Sequence, residues 1–437
     1  MLRRLATFTV ALAAVSVQAQ EGWNLFHRIE LRSNFRSSRH ERFQLRTLLP
    51  PEFLPPGESF PAMETVDRGS HLELSVLQLQ LDAGYGKWIS ARARIHVQDK
   101  YRRNPTSEDR TIDADELFIR IGEKPEFLDR PERTSFFVQV GKAPKMERQP
   151  TRLLESYGVA STSFNRFEDV QLLTGGTVGR NLYWRLQLAN GNPLFFRDAN
   201  ALAGDNGTSE LLRPNPSPRL KSGFPILYNA EVEGYAFNQN RLQFGQAVGY
   251  RWQRDDQSLG YDLIAFHYRR TLEDEADLAG TFYGGDLDLL DGAFGISLPI
   301  RGRLKEEYGA RLYAEWRSLT AIAQFTKQHL AGLQREGWEL EAGYRFPLTA
   351  GPRARGGETL LQSIQPAVRV SGLTNRFRGP RTYMAPSVWW PWTKIDVGVR
   401  IGFIRNTDLT IEHAKHNIGA PVKLDTSETL LTLRVRV

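Results

Sequence analysis

The chain has 437 residues, no cysteine, a formal charge of +7, and 24% charged and 11% aromatic residues. The lack of cysteine excludes disulfides and thiolate metal sites. Beyond the first twenty residues no apolar run reaches the roughly 20 residues that a membrane-spanning helix needs. A polar chain rich in Trp, Tyr and Phe fits a transmembrane β-barrel, where one strand face meets lipid and the other water. A large secreted β-protein shares part of that profile.

Residues 1–19 read as an export signal. Arg3 and Arg4 form a basic start, Leu5 to Val17 is an apolar run, and Val17-Gln18-Ala19 is a small-x-small cleavage site. The run is too short to span a bilayer, so a signal peptide cut after Ala19 is expected, with residues 20–437 as one exported domain.

From Asn24 onward, apolar and polar residues alternate in segments of about ten, the length a tilted strand needs to cross a membrane. In Lys87–Gln98, Ile89, Ala91, Ala93, Ile95 and Val97 oppose Arg92, Arg94, His96 and Gln98. In Asn181–Asn190, Leu182, Trp184, Leu186 and Leu188 oppose Tyr183, Arg185 and Gln187. In Tyr308–Arg317, Tyr308, Leu312 and Trp316 oppose Arg311, Tyr313 and Glu315. In Lys394–Phe403, Ile395, Val397, Val399 and Ile401 oppose Asp396 and Arg400.

Strand starts are predicted near Asn24, His71, Lys87, Ala114, Thr134, Arg166, Asn181, Tyr228 and Arg241, then near Gly260, Leu290, Glu307, Leu319, Glu336, Gln362, Thr393, Thr407 and Ser427. The fold class is therefore all-β: an antiparallel up-and-down transmembrane barrel of sixteen to eighteen strands, with the count favouring eighteen. An even count puts both termini in the periplasm, and such barrels alternate short periplasmic turns with long extracellular loops. Thr47–Ser70, Asp99–Asp113, Lys142–Asn165, Gly191–Leu227 and Thr374–Trp392 fall on the outer side. Ala83–Gly86, Gly175–Arg180, Asn238–Asn240, Arg317-Ser318 and Arg405-Asn406 fall on the inner side. Thr271–Leu289 and Pro347–Leu361 are long for inner turns. The segment Leu290–Ile300 is a weak strand because it holds Gly292, Gly295 and Pro299. The last strand ends on Val437, where such barrels commonly end on an aromatic residue.

A charge at the lipid midplane costs about 2–4 kcal/mol. The alternation therefore assigns Arg92, Arg94, Arg120, Arg185, Arg311, Arg345, Arg369 and Arg434 to the lumen, with Glu116, Glu315, Glu339, Glu341 and Asp396. A self-neutralising salt-bridge lattice is one reading of that face. A lumen that favours anions is the other, because guanidinium is always charged and matches phosphate or carboxylate at two points. The loop Lys142–Asn165 places Lys142, Lys145, Arg148 and Arg152 against Glu147 and Glu155. Folded inward, it sets a basic constriction; left outside, it is a solvated surface loop.

The runs Phe137-Val138-Gln139-Val140-Gly141-Lys142-Ala143-Pro144, Val170–Gly176 and Leu186–Asn192 resemble the phosphate-selective porin O/P family over roughly Asp115 to Asn192. The resemblance implies a sixteen-stranded trimeric pore with basic residues at an inward-folded constriction, matched here by Lys142 and Lys145. An eighteen-stranded, Arg-lined export porin of the alginate type is similar in general pattern.

Catalytic motifs are thin: there is no Gly-x-Ser-x-Gly, His-Glu-x-x-His or phosphate-binding glycine loop. His413 and His416 stand three apart, which on a strand puts them on opposite faces and argues against a shared metal. Trp389, Trp390 and Trp392 are expected in an interfacial aromatic girdle. No cofactor, enzyme activity or nucleic-acid partner is expected. Two functions stand: a diffusion porin for small, preferably anionic, polar solutes in the outer membrane of a Gram-negative bacterium, or a closed structural or export barrel plugged by its loops.

Overall fold

The computed structural model describes residues 22–39, 69–86, 88–98, 112–125, 134–149, 151–165, 168–191, 241–271, 302–330, 332–353, 357–376, 391–404, 406–419 and 423–437, with short pieces at 42–44, 62–64, 128, 221–223 and 226–228. The expected leader lies outside the described residues.

Sixteen long strands follow one another. They are β1 (Trp23–Ser38), β2 (Gly69–Tyr85), β3 (Ile89–Gln98), β4 (Ile112–Gly122), β5 (Ser135–Pro144), β6 (Glu168–Val178), β7 (Leu182–Ala189) and β8 (Gln243–Gln253), then β9 (Leu259–Thr271), β10 (Leu304–Trp316), β11 (Leu319–Leu330), β12 (Leu333–Tyr344), β13 (Ser363–Asn375), β14 (Trp392–Gly402), β15 (Thr407–Gly419) and β16 (Lys423–Arg436). Each pairs antiparallel with the next, and β16 returns to β1 to close the barrel. At the seam, Ile29 N donates to Val437 O at 2.9 Å and Val437 N to Ile29 O at 2.8 Å. The terminal Val437 is thus held by backbone pairing. Closure leaves no open edge, which backbone groups in hydrocarbon require. A two-residue strand, Phe346–Pro347, adds to the start of β13.

The favoured count of eighteen is corrected to sixteen. β7 pairs directly with β8 through Leu188 and Phe244, and β9 with β10 through Ile264 and Arg311. No strand stands between either pair. Tyr228 ends a small hairpin, Lys221–Gly223 with Ile226–Tyr228, apart from the barrel sheet. Leu290–Ile300 and Asn238–Asn240 lie outside the described residues. Alternation marks a segment as able to be a strand; only a hydrogen-bonded ladder makes it a barrel stave. The correction also moves Thr271–Leu289 to the end that carries the long connections. Departures remain: at that end Leu330–Leu333 and Gly419–Lys423 are short links, while the long 344–363 connection sits at the tight-turn end.

Side chains alternate as the pattern requires. On β4, Leu117, Ile119 and Ile121 are exposed outward while Glu116 and Phe118 are buried inward. On β10, Leu312 and Trp316 point out and Arg311 and Tyr313 in. Aromatic rings collect on the outside near the tight turns. Trp23 lies 5.5 Å from Tyr85, Trp252 5.8 Å from Tyr261, and Tyr344 4.6 Å from Phe346, centroid to centroid; Trp88 and Trp316 are exposed beside them. Trp392 departs from the girdle expectation. Even-numbered residues of β14 face inward, so Trp392 is buried in the lumen against His416, with Nε1 to Nδ1 at 3.4 Å. Trp389 and Trp390 lie outside the described residues. His413 is exposed on the outer face and His416 is buried on the inner one.

Candidate functional site

The segment after β5 turns into the barrel and lies across the lumen. Pro144 ends the strand, and the chain then meets wall residues from β7 and β9–β16. At its entry, Lys145 is buried against the Glu307 carboxylate, with Glu147 Oε1 at 3.2 Å and a hydrogen bond to Phe164 O at 3.0 Å. Burial alone would lower the Lys145 pKa; Glu147 and Glu307 outweigh it and hold the ammonium above its ordinary value. Tyr268 donates to Glu147 Oε2 at 2.5 Å and accepts from Met146 N at 3.0 Å. Met146 packs among Phe137, Leu173, Tyr183, Ile264 and Phe266.

In the middle, backbone amides of the loop meet wall carboxylates. Leu153 N and Leu154 N donate to Glu341 Oε1 at 2.6 and 3.2 Å. Glu155 N and Ser156 N donate to Glu412 Oε2 at 2.8 and 3.2 Å. Wall cations take the carbonyls: Lys394 Nζ donates to Tyr157 O at 2.8 Å and Arg400 Nη2 to Arg152 O at 3.3 Å. Arg369 sits beneath, 3.0 Å from Asp396, 3.6 Å from Glu341 and 3.6 Å from Glu412, with Nη2 on Ser156 Oγ at 2.7 Å. The Glu155 carboxylate lies between Arg400, at 2.9 Å, and Arg434. Burial would raise its pKa, but Arg434, Arg400, Arg32 and Arg152 hold it well below the carboxylate range.

At the far end, a helical turn over Ser161–Asn165 is fixed by Ser161 N on Glu339 Oε2 at 3.1 Å and by Arg335 on Ser163 O at 3.2 Å. Inward-facing glycines make room for it. A Cβ on Gly337 would meet Phe164 at 2.4 Å, one on Gly343 would meet Leu153 at 3.0 Å, and one on Gly398 would meet Leu154 at 2.7 Å.

The remaining arc, β2–β4, faces the lumen from the other side. Arg92 Nε donates to Asp82 Oδ1 at 2.6 Å and Nη1 to Glu116 Oε2 at 3.4 Å. Arg94 pairs with Glu116 and donates to Gln80 Oε1 at 3.0 Å. Arg120 donates to Gln139 Oε1 at 2.9 Å and lies 5.0 Å from the Phe118 ring. Arg148, on the loop, pairs with Glu168, and Arg94 lies within reach of its charge. The side chains of Arg92, Arg94 and Arg148 remain 29%, 26% and 26% accessible, whereas Arg369, Lys394 and Asp396 are at 0%. Water therefore reaches the first set and not the second.

Of the twelve basic residues singled out from the sequence, Arg369 and Arg434 hold the loop as above, and Arg345 lies exposed just beyond the end of β12. Lys145 is a loop anchor. Arg148 faces the wet arc with Arg92 and Arg94. Arg152 stacks 3.7 Å over the Tyr157 ring and donates to Glu155 O at 2.9 Å. Arg185 donates to Met146 O at 2.9 Å, and Arg311 pairs with Asp262 at 2.6 Å while donating to Arg148 O at 3.1 Å; both serve the loop's entry. Lys142 is not brought into this set. It closes β5 on the parity of Phe136 and Val140, opposite the outward-facing Leu117 and Val170. Sequence reasoning missed Glu412, Lys394 and Glu307 as loop anchors. Their inward parity was readable; their partners, over a hundred residues away, were not.

No protein-family model matches the chain, and no curated protein matches it. Among solved structures it is similar to OprB of Pseudomonas putida, at 9% identity and TM-score 0.51, covering 99% of this chain and 96% of that one. Outer-membrane-expressed OmpT of Vibrio cholerae (8%, 97% and 100% covered, TM-score 0.49) and OmpF of Salmonella typhi (8%, 95% and 98%, 0.49) are more distant in shape. The likeness to OprB is one of fold: this chain has the closed antiparallel β-barrel fold seen in that protein.

Proposed function

We propose that the chain is an outer-membrane channel for passive diffusion of small polar solutes, with a preference for anions bearing phosphate or carboxylate groups. The outward apolar surface and aromatic girdle support a membrane setting, since a closed barrel satisfies its backbone without water. The long connections then face the cell exterior. One observation carries the channel reading: inside the barrel the side chains of Arg148, Arg92 and Arg94 stay open to water while the wall under the loop is dry. Between low-dielectric walls, such cations raise the local anion concentration. The phosphate-selective family suggested by the sequence, with its trimeric assembly, is the finer form of this proposal.

Planar-bilayer recordings in a salt gradient test it. Arg94→Glu with Arg148→Glu should move the reversal potential toward cations while conductance persists. An unchanged potential would remove these residues from the selectivity role. No conductance from wild-type barrels that are correctly folded would overturn the channel itself in favour of a plugged barrel.

A further inference from the structure

The outside of the barrel is not uniform around its circumference. Strand register places Gln246, His267, Tyr308, Lys327, Glu336 and Thr374 side by side across β8–β13, all on the outward parity. One row nearer the long-connection end, Arg269 and Glu306 are partners, and Arg376 N donates to Gln334 O at 2.9 Å. The row toward the girdle is apolar, with Val248, Phe325 and Trp338 exposed. Polarity therefore switches within two residues of strand, about 7 Å. On β4, β6 and β7 the outward positions stay apolar farther along, through Leu117, Val170 and Leu188, and on β8 they turn apolar again beyond Gln246, at Phe244, so the polar band is fullest on β9–β13.

The polar groups are joined. Gln246 Nε2 lies 3.3 Å from His267 Nδ1, and His267 Nε2 lies 2.8 Å from Glu306 Oε1. Lys327 Nζ is 3.4 Å and Arg376 Nη2 2.8 Å from Glu336. Glu336 holds Lys327 and Arg376 in place, and Arg269 is the strand partner of Glu306, so three cations stand against two carboxylates. Arg376 keeps 58% of its side chain accessible and Lys327 28%.

We propose that this band on β8–β13 binds the phosphate-bearing head groups of the outer-leaflet lipids. The inference rests on the membrane reading above. Its position selects the ligand class: it borders the apolar belt, where acyl chains give way to head groups, at the end bearing the long connections. Its charge selects the chemistry, since ammonium and guanidinium on long apolar stems reach from hydrocarbon to anionic oxygen. Near an anionic surface each such cation contributes appreciably to binding. A second copy of the chain would have to bury these charges against their own kind, which the cation excess disfavours.

The test uses full-length barrel in detergent, with bisphosphorylated lipid A as probe and its dephosphorylated form as comparison. Lipid retained per barrel is counted by native mass spectrometry, and bilayer conductance checks the fold. Arg269→Gln, Lys327→Gln and Arg376→Gln together should lower lipid A retention at least about tenfold with conductance unchanged. Lys415→Gln, on β15, should leave retention as in wild type. Equal retention by wild type and the triple variant would overturn the proposal, as would equal retention of the dephosphorylated lipid by wild type. Loss of oligomers in the triple variant, with lipid retention intact, would assign the band to a subunit interface instead. Loss of conductance in wild type alone would strike the channel reading and leave the lipid result standing.

Discussion

The two sides of the lumen wall carry similar residues in opposite conditions. On β13–β15, Arg369, Lys394, Asp396 and Glu412 are dry, and their charges are consumed in holding the loop. On β2–β4, Arg92 and Arg94 pair with Asp82 and Glu116 just as closely, yet water reaches them. The difference is the loop, which covers one wall and faces the other. Equal ion pairs therefore have unequal worth: a buried pair leaves an uncompensated charge when broken, and a wetted one does not.

The largest effect is expected on the dry side. Arg369→Ala removes the cation shared by Asp396, Glu341 and Glu412, and should cost about 3–5 kcal/mol of barrel stability in urea refolding. Arg92→Gln on the wet side should cost at most about 1 kcal/mol. Equal losses would abolish the distinction between the walls. Next is a control on the third environment, lipid. Ala93 lies between Leu81 and Leu117 on the outer face, so Ala93→Arg should lose about 2–4 kcal/mol where Arg94→Ala folds at near wild-type yield. Glu412→Gln weakens the amide clamp on Glu155 and Ser156, and should increase open-channel noise without shifting the reversal potential. A quiet channel in that variant would show that the remaining anchors hold the loop alone.

Acid should spare the Glu155 clasp for longer than it would an ordinary carboxylate. Glu155 has its folded pKa depressed by its arginines, so its stabilisation is present above the unfolded value of about 4.3 and is lost as pH falls through the lower folded value. Glu155→Gln, which removes that charge at neutral pH, should therefore raise loop-dependent noise there. Lys142→Glu should have the smallest effect, leaving selectivity unchanged, because its outward place at the rim is screened within about 10 Å at 0.1 M salt.

Much of this was legible in the sequence because lipid leaves so little latitude. Alternation placed Arg92, Arg311 and Arg369 inward, since the other parity would have put guanidinium into hydrocarbon. It could not decide whether the segments near Tyr228 and Leu290 join the ladder, since that depends on which partner reaches the β7 and β9 edges first. It also misjudged Trp392. The residue was read with Trp389 and Trp390 as a cluster, while its own parity with Lys394 and Asp396 pointed inward. The anchoring role of Glu341 and Glu412 was hidden for a different reason: their partners are backbone amides, which carry no signature in sequence.

The clasp on Glu155 also has a place in time. Its partner Arg434 lies on the final strand, 279 residues along the chain, and joins the lumen only when β16 meets β1. Contacts so distant in sequence form late. A barrel still missing its last strand therefore has a loop with no complete seat and a wide, unfiltered interior. On the channel reading proposed above, selectivity is the last property such a molecule acquires, and a chain stalled before closure would be a leak, not merely an unfinished channel.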